Sequence, residues 1–315
     1  MNEQAHSVQV TADNPQLADL KRSWVTAVFS AEDGIGPMGS LHQAGDSIIA
    51  VATMTDQGIK VIGSGVMIGP GLMLTASHVL DEFPPEGTGP VCLTFLPGAT
   101  RAWLPCGRTT ATGASSFAPN RRKVSDLTLV SCGLNSEAHE EFPLVLAPVQ
   151  LALPLIGERL WAFGYRHGDI LDGAALLTPL VTSGVVTGCY PQGRGERMPS
   201  TCIEVEMDAM GGMSGGPVVN DDGWLVGIVS SSFEGGPTYV TLVWDAIRLS
   251  VGGAPTNLWP EGEADLIIGR DLGLVKLKGA VTRDAEGNVT TITMSAPEMK
   301  QLAMFSDPIH ITRRD

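Results

Sequence analysis

Three short segments carry residues whose types and order suit nucleophilic acyl transfer. The strongest is GMSGGPVV, Gly212 to Val219, in which Ser214 lies among glycines. A serine hydroxyl is a weak nucleophile near neutral pH, so it needs a base beside it and donors for the developing oxyanion. Glycines let the chain turn sharply and bring N–H groups up to a substrate carbonyl with no side chain in the way. The amides of Gly212, Met213 and Ser214 are therefore candidate oxyanion donors, with Gly212 and Ser214 the natural pair. The second segment, LTASHVL, puts His78 directly after an apolar run, and the third, SDLTLV, opens another run with Asp126. Each of these is weak alone, since single histidines are mostly structural and Asp at a strand start mostly turns the chain. Together they supply a base, a group to orient it and a nucleophile.

Such residues, far apart in the chain, must be brought together by the elements that carry them. From Ser47 onward the sequence is a series of short β-branched or aliphatic runs: SIIAVATM, KVIGSGVMIG, LMLTASHVL, VCLTFL and LTLVSC. Gly, Pro and Asp clusters separate them, which is the pattern of strands and turns. A polar stretch, LNSEAHEEFP, precedes a second series: RLWAFGYR, LLTPLVTSGVV, TCIEVEM, GPVVN, WLVGIVSSS and TYVTLVW. No long helical pattern lies between the strands, which excludes a parallel α/β sheet and predicts antiparallel barrels. Residues 1–45 read as an extension with a helix, capped by Asn14 with Pro15 in its first turn and striped by Leu17, Leu20, Trp24 and Val28. Residues 46–140 form the first set of strands, 141–252 the second, and 253–315 a C-terminal extension. In that extension LGLVKLKGAV and NVTTITMS are expected to pair as a hairpin. Ser295 and Glu298 form a capping box for a short last helix.

These motifs resemble those of the chymotrypsin/trypsin superfamily of serine peptidases. LTASHVL is similar to that family's T-A-[AS]-H motif, SDLTLV to its D-[IL]-[AT]-L motif, and GMSGGPVV to its G-x-S-G-G-P motif. The resemblance spans about residues 45 to 250. It implies an all-β fold of two antiparallel six-stranded β-barrels with the site in the cleft between them, and a serine endopeptidase working through an acyl-enzyme. Catalytic roles would fall to His78, Asp126 and Ser214. GMSGG also satisfies the nucleophile-elbow pattern of α/β-hydrolases, but there the histidine follows the serine. Here only His310 follows Ser214, and the helices of that fold are missing. The chain departs from secreted trypsins at two points: no cysteine follows His78 to staple its loop, and Met213 stands where trypsins place an aspartate that pairs with a freed N-terminal amine. In this it is closer to bacterial and intracellular relatives, including the HtrA type.

Substrate recognition is expected at Asp208, six residues before Ser214, the offset of the basic-specific aspartate of trypsins. Asp208 either sits at the base of a pocket for Arg or Lys or caps a turn. Ser230, Ser231 and Ser232 follow the VGIV run, where the family binds substrate backbone as an added strand. His167 is expected to be a structural loop residue. The formal net charge of −14 argues against nucleic-acid or anionic-membrane partners, leaving protein or peptide substrates and a regulatory protein partner as the expected ones. Five cysteines without a CxxC pair give no metal-ligand spacing. No metal or organic cofactor is expected. Residues 1–24 have no apolar core behind a basic start, so a cytoplasmic location with reduced thiols is expected. Cys189 and Cys202 are spaced to approach across a hairpin.

Overall fold

The computed structural model describes residues 4–9, 23–28, 41–55, 58–81, 88–96, 99–114, 122–167, 170–171, 174–177, 179–195, 198–232, 235–284 and 289–306. Two strands come first, β1 (Gln4–Gln9) and β2 (Ser23–Val28), paired antiparallel with Gln4 opposite Val28. This corrects the expected helix: Trp24 and Val28 lie on a strand, and the rest of that stripe falls outside the described residues. The segment SWVTAV is rich in β-branched side chains, which favour an extended backbone when a neighbouring strand is available.

The first barrel is built from β3 (Ile49–Thr55), β4 (Gly58–Gly69), β5 (Leu72–Thr75), β6 (Thr88–Leu96), β7 (Ala99–Ala114) and β8 (Arg122–Leu134). It closes in the order β3-β4-β5-β8-β7-β6, every neighbour antiparallel. A single turn of helix, α1 (Ser77–Asp81), leaves the end of β5. Closure removes the free strand edges that would otherwise invite aggregation, and Ile49, Val51, Met67, Leu74, Leu93 and Leu129 on its strands are buried.

The connecting segment lays down β9 (Val149–Gln150), and the second barrel follows. Its strands are β10 (Arg159–Tyr165), β13 (Pro179–Tyr190), β14 (Cys202–Glu206), β15 (Pro217–Asn220), β16 (Leu225–Ser232) and β17 (Thr238–Leu242). A small hairpin, β11 (Ile170–Leu171) with β12 (Ala174–Leu177), is inserted between β10 and β13. The ring β15-β10-β13-β14-β17-β16 closes through the β15–β16 pairing. Two six-stranded antiparallel barrels are thus present. Cys189 stands opposite Ile203 and Cys202 opposite Tyr190, and the two thiols belong to separate buried clusters. Both are free, and burial pushes each up to about 12.

The segment between the barrels is tied down by a buried ion pair. Arg101 Nη1 lies 2.6 Å from Asp46 Oδ2. Arg101 also donates to the carbonyls of Ala138 (2.8 Å), His139 (3.2 Å) and Phe142. Asp46 accepts from Thr94 Oγ1 at 2.8 Å, so both ions are well supplied with partners.

The C-terminal residues pack on both barrels. Trp259 is fully buried and donates Nε1–H to Pro70 O at 2.9 Å, over the turn joining β4 to β5. Helix α2 (Leu266–Asp271) starts at Asp265, whose carboxylate accepts from the amides of Ile267 and Ile268. Strand β18 (Leu277–Lys278) runs parallel to β9. Strands β19 (Val281–Arg283) and β20 (Val289–Ile292) form an antiparallel hairpin, and α3 (Ala296–Ser306) ends the described chain. Ser295 N–H donates to Glu298 Oε2 at 2.6 Å, one arm of the capping box. No described helix is long and apolar enough to cross a membrane.

Candidate active site

His78 is the second residue of α1. Strand β5, buried along its whole length, carries the chain to it and fixes where it emerges. Asp126 lies on β8, the antiparallel partner of β5. This pairing brings the two together: His78 Nδ1 is 2.9 Å from Asp126 Oδ1 and 3.0 Å from Oδ2, while the His78 amide donates to Oδ1 at 3.2 Å. The carboxylate is buried and the imidazole about one-third exposed. A histidine whose Nδ1–H faces a carboxylate presents Nε2 as its basic lone pair.

Ser214 lies in the second barrel, on the turn that leads into β15. Its carbonyl accepts from Ser64 N–H on β4 at 2.8 Å. Ser64 also donates its hydroxyl to Gly212 O at 2.8 Å and accepts from Tyr165 N–H at 2.9 Å. One buried serine of the first barrel thus holds both ends of the Gly212–Ser214 turn. Gly215 has φ +80°, and a Cβ there would lie 2.3 Å from both Ser64 O and Thr75 Oγ1 and 2.8 Å from Ala76 N. Only glycine lets the turn press this closely against the segment that carries His78.

Gly212 has φ +98°, a conformation suited to glycine. Among the described residues no group accepts from the amides of Gly212 or Ser214, whereas Met213 N–H donates to Met210 O at 3.1 Å. Of the three candidate donors, Met213 is therefore occupied. Its side chain is buried in the second barrel's core with Met207 and Ala209, so an apolar contact stands where trypsins have an ion pair. His167 flanks the turn: its amide donates to Gly211 O and its Nε2 lies 3.2 Å from Ile62 O.

Ser230, Ser231 and Ser232 end β16. The Ser230 hydroxyl is buried and shares a 2.6 Å hydrogen bond with Thr241 Oγ1. Strand β15 pairs with β16 only up to Ile228, and Val229 is joined to Gly215 and Gly216. Beyond that, the backbone edge at Ser231 and Ser232 has no described strand on the Ser214 side.

Asp208 is exposed. It lines an open pocket of about 520 Å³ together with Thr187, Glu204, Glu206, Gly235 and Pro237, and neither Ser214 nor Ser230–Ser232 takes part in it. Glu204 is fixed by the hydroxyls of Thr187, Tyr190 and Tyr239 at 3.0 to 3.1 Å. Burial, then the Glu204 charge, pushes the Tyr239 hydroxyl up to about 12, which keeps it a donor. Sequence reading found neither Ser64 nor Glu204 and Glu206. The two glutamates are visible as a period-two acidic face in CIEVEMD running on to Asp208, but Ser64 has no sequence signal. Among the described residues no group of three His, Cys, Asp or Glu could hold a metal ion.

Two closed barrels with a His–Asp pair on one and a glycine-flanked serine on the other define a serine endopeptidase of the two-barrel class. The chain belongs to the trypsin-like peptidase domain family, whose model matches residues 63–228, just over half of its length. It is similar to a serine endoprotease from Yersinia pestis at 20% identity, over 65% of this chain and 63% of that one, with a TM-score of 0.42. The MamO protease domain from Magnetospirillum magneticum matches at 19% identity over 64% and 95% of the two chains, TM-score 0.44. The active form of the Rv3671c protease from M. tuberculosis matches at 16% identity over 64% and 78%, TM-score 0.41. No curated protein matches the sequence.

Proposed function

We propose that this endopeptidase works through Ser214, His78 and Asp126, and that it cuts after basic residues. The observation that carries the reading is the contact of His78 with Asp126 across 48 positions, with the Ser214 turn fastened to the neighbouring strand. Ser214 Oγ attacks the scissile carbonyl while His78 Nε2 takes its proton. Asp126 holds the ring and stabilises the imidazolium. The amides of Gly212 and Ser214 receive the oxyanion. His78 then returns the proton to the leaving amine, and water repeats the steps in reverse to free the acyl group. The substrate backbone pairs with the open edge at Ser231 and Ser232. A fluorophosphonate probe tests the nucleophile: labelling confined to Ser214 is expected, and a folded protein that does not label would end the reading.

The basic preference rests on the acidic pocket. Glu204, Glu206 and Asp208 give it three carboxylates for one guanidinium or ammonium group. Because Asp208 is exposed and screened, its share is modest, about tenfold. Among matched peptides ending in Arg, Phe, Ala or Glu, the Arg peptide is expected to be cleaved fastest. Asp208→Ser should lower that rate about tenfold and leave fluorophosphonate labelling unchanged. Faster cleavage after Phe or Ala than after Arg would refute the basic pocket.

The pairing of the N-terminal extension supports a reading in which it controls the site. Strand β2 runs parallel to β12, with Trp24 opposite Ala175. That strand belongs to the same β10–β13 connection that starts at Arg166 and His167, beside the oxyanion turn. Removing residues 1–40 is expected to speed labelling of Ser214, and equal rates would rule the control out. We also assign the enzyme to the cytoplasm, on its free thiols.

A further inference from the structure

The two residues that directly precede His78 and Asp126 are both serines, Ser77 and Ser125, and both are buried. Ser77 donates its hydroxyl to the carbonyl of Ser125, the carbonyl of the peptide unit that leads into Asp126. Ser125 Oγ in turn shares a 2.5 Å hydrogen bond with Ser200 Oγ. Ser200 lies in the second barrel, just before β14, and is buried too. Its hydroxyl donates to Asp245 Oδ2. Asp245 stands in the first turn of the 3-10 helix Val243–Arg248, with Arg248 Nη1 3.9 Å from its other oxygen.

The donor directions are set by the end of this chain. A carboxylate only accepts, so Ser200 spends its proton on Asp245 and must accept from Ser125. Ser125 spends its proton on Ser200, leaving its carbonyl for Ser77. Every hydroxyl therefore has one orientation. The row crosses from the barrel that carries His78 and Asp126 to the barrel that carries Ser214. A buried network with all members satisfied is rigid, and loss of its anchor leaves several groups without partners at once.

We infer that Ser200 and Asp245 are positioning residues, which fix the His78–Asp126 pair relative to Ser214 across the seam between the barrels. The inference rests on the triad reading above. A base displaced by a fraction of an ångström still binds substrate but takes the proton poorly. The effect should therefore appear in the chemical step rather than in affinity.

The test uses the full chain and a fluorophosphonate probe, with the maximal labelling rate measured separately from the half-saturating concentration. Ser200→Ala and Asp245→Ala are each expected to lower the maximal rate about tenfold, with half-saturation within twofold and all molecules finally labelled. The double variant should be no slower than the singles, because both cut one network. Asp245→Asn retains an acceptor for Ser200 and should stay within about threefold of wild type, so a loss as large as that of Asp245→Ala would overturn the acceptor role. Unchanged maximal rates, or a loss seen only as fewer labelled molecules or weaker half-saturation, would overturn the inference. Should Ser200→Ala fail to fold, Asp245→Ala and Ser125→Ala carry the same readout. If Asp126→Asn labels as fast as wild type, the triad reading fails instead, which separates the two ideas.

Discussion

Ser214→Ala or His78→Ala is expected to abolish peptide cleavage, a loss on the order of 10⁶ in kcat, with the protein still folded. The two should be equally severe. Without the base the hydroxyl is not activated, and without the hydroxyl the base has nothing to activate. Asp126→Asn is expected to cost about 10⁴, because an amide facing Nδ1 favours the tautomer whose Nε2 is protonated and cannot accept. Asp126 also accepts from the His78 amide at 3.2 Å. An Asn can keep that bond or the correct ring contact, but only through its single carbonyl oxygen. Burst kinetics on an ester substrate and circular dichroism of each variant provide the check. More than a tenth of wild-type activity in Asp126→Asn would place the orienting carboxylate elsewhere.

The second large effect concerns stability. Asp46→Ala or Arg101→Met is expected to lower the unfolding free energy by about 3–5 kcal/mol, the cost of leaving one member of a buried ion pair uncompensated. Replacing both should not restore it. The carbonyls of Ala138, His139 and Phe142 all take their donor from Arg101 and would lose it. Urea unfolding followed by tryptophan fluorescence measures this directly, since Trp103 Nε1–H donates to Thr94 Oγ1, a ligand of Asp46. A change below about 1 kcal/mol would mean that the pair is not the anchor of the inter-barrel segment.

The barrels were legible because their strands are short apolar runs punctuated by turn residues, and both faces of such strands are committed. Strand β7 was not read. Its sequence, ATRAWLPCGRTTATGA, mixes Thr, Gly and Pro with few aliphatic residues, because its second half is partly exposed. The N-terminal stripe misled in the other direction: Leu17, Leu20, Trp24 and Val28 fit a helical period, yet Ser23–Val28 finds two strands to pair with and takes the extended form. Helix α2 was missed despite the capping residue Asp265, since six residues give too little periodicity. At the site, order and motif pointed to His78, Asp126 and Ser214, and the first two are in contact. Ser64, Ser200 and Asp245 left no trace, because a hydroxyl's partner depends on which strands meet in space, and no spacing along the chain encodes that.

The position of Trp259 changes which part of the chain the first barrel needs. Its indole nitrogen is bonded to Pro70, 189 residues earlier, and Leu266, Ile267 and Val275 join the same core as Val66, Ile68 and Leu72. The barrel that begins the chain is therefore finished by residues that follow the second barrel. During synthesis it waits, with part of its apolar surface uncovered, until the chain has emerged as far as Val275. A chain cut near residue 250 would lose nothing of the second barrel's ring of strands, yet it would uncover the foundation beneath His78. The cut end and the damage would lie far apart in the sequence.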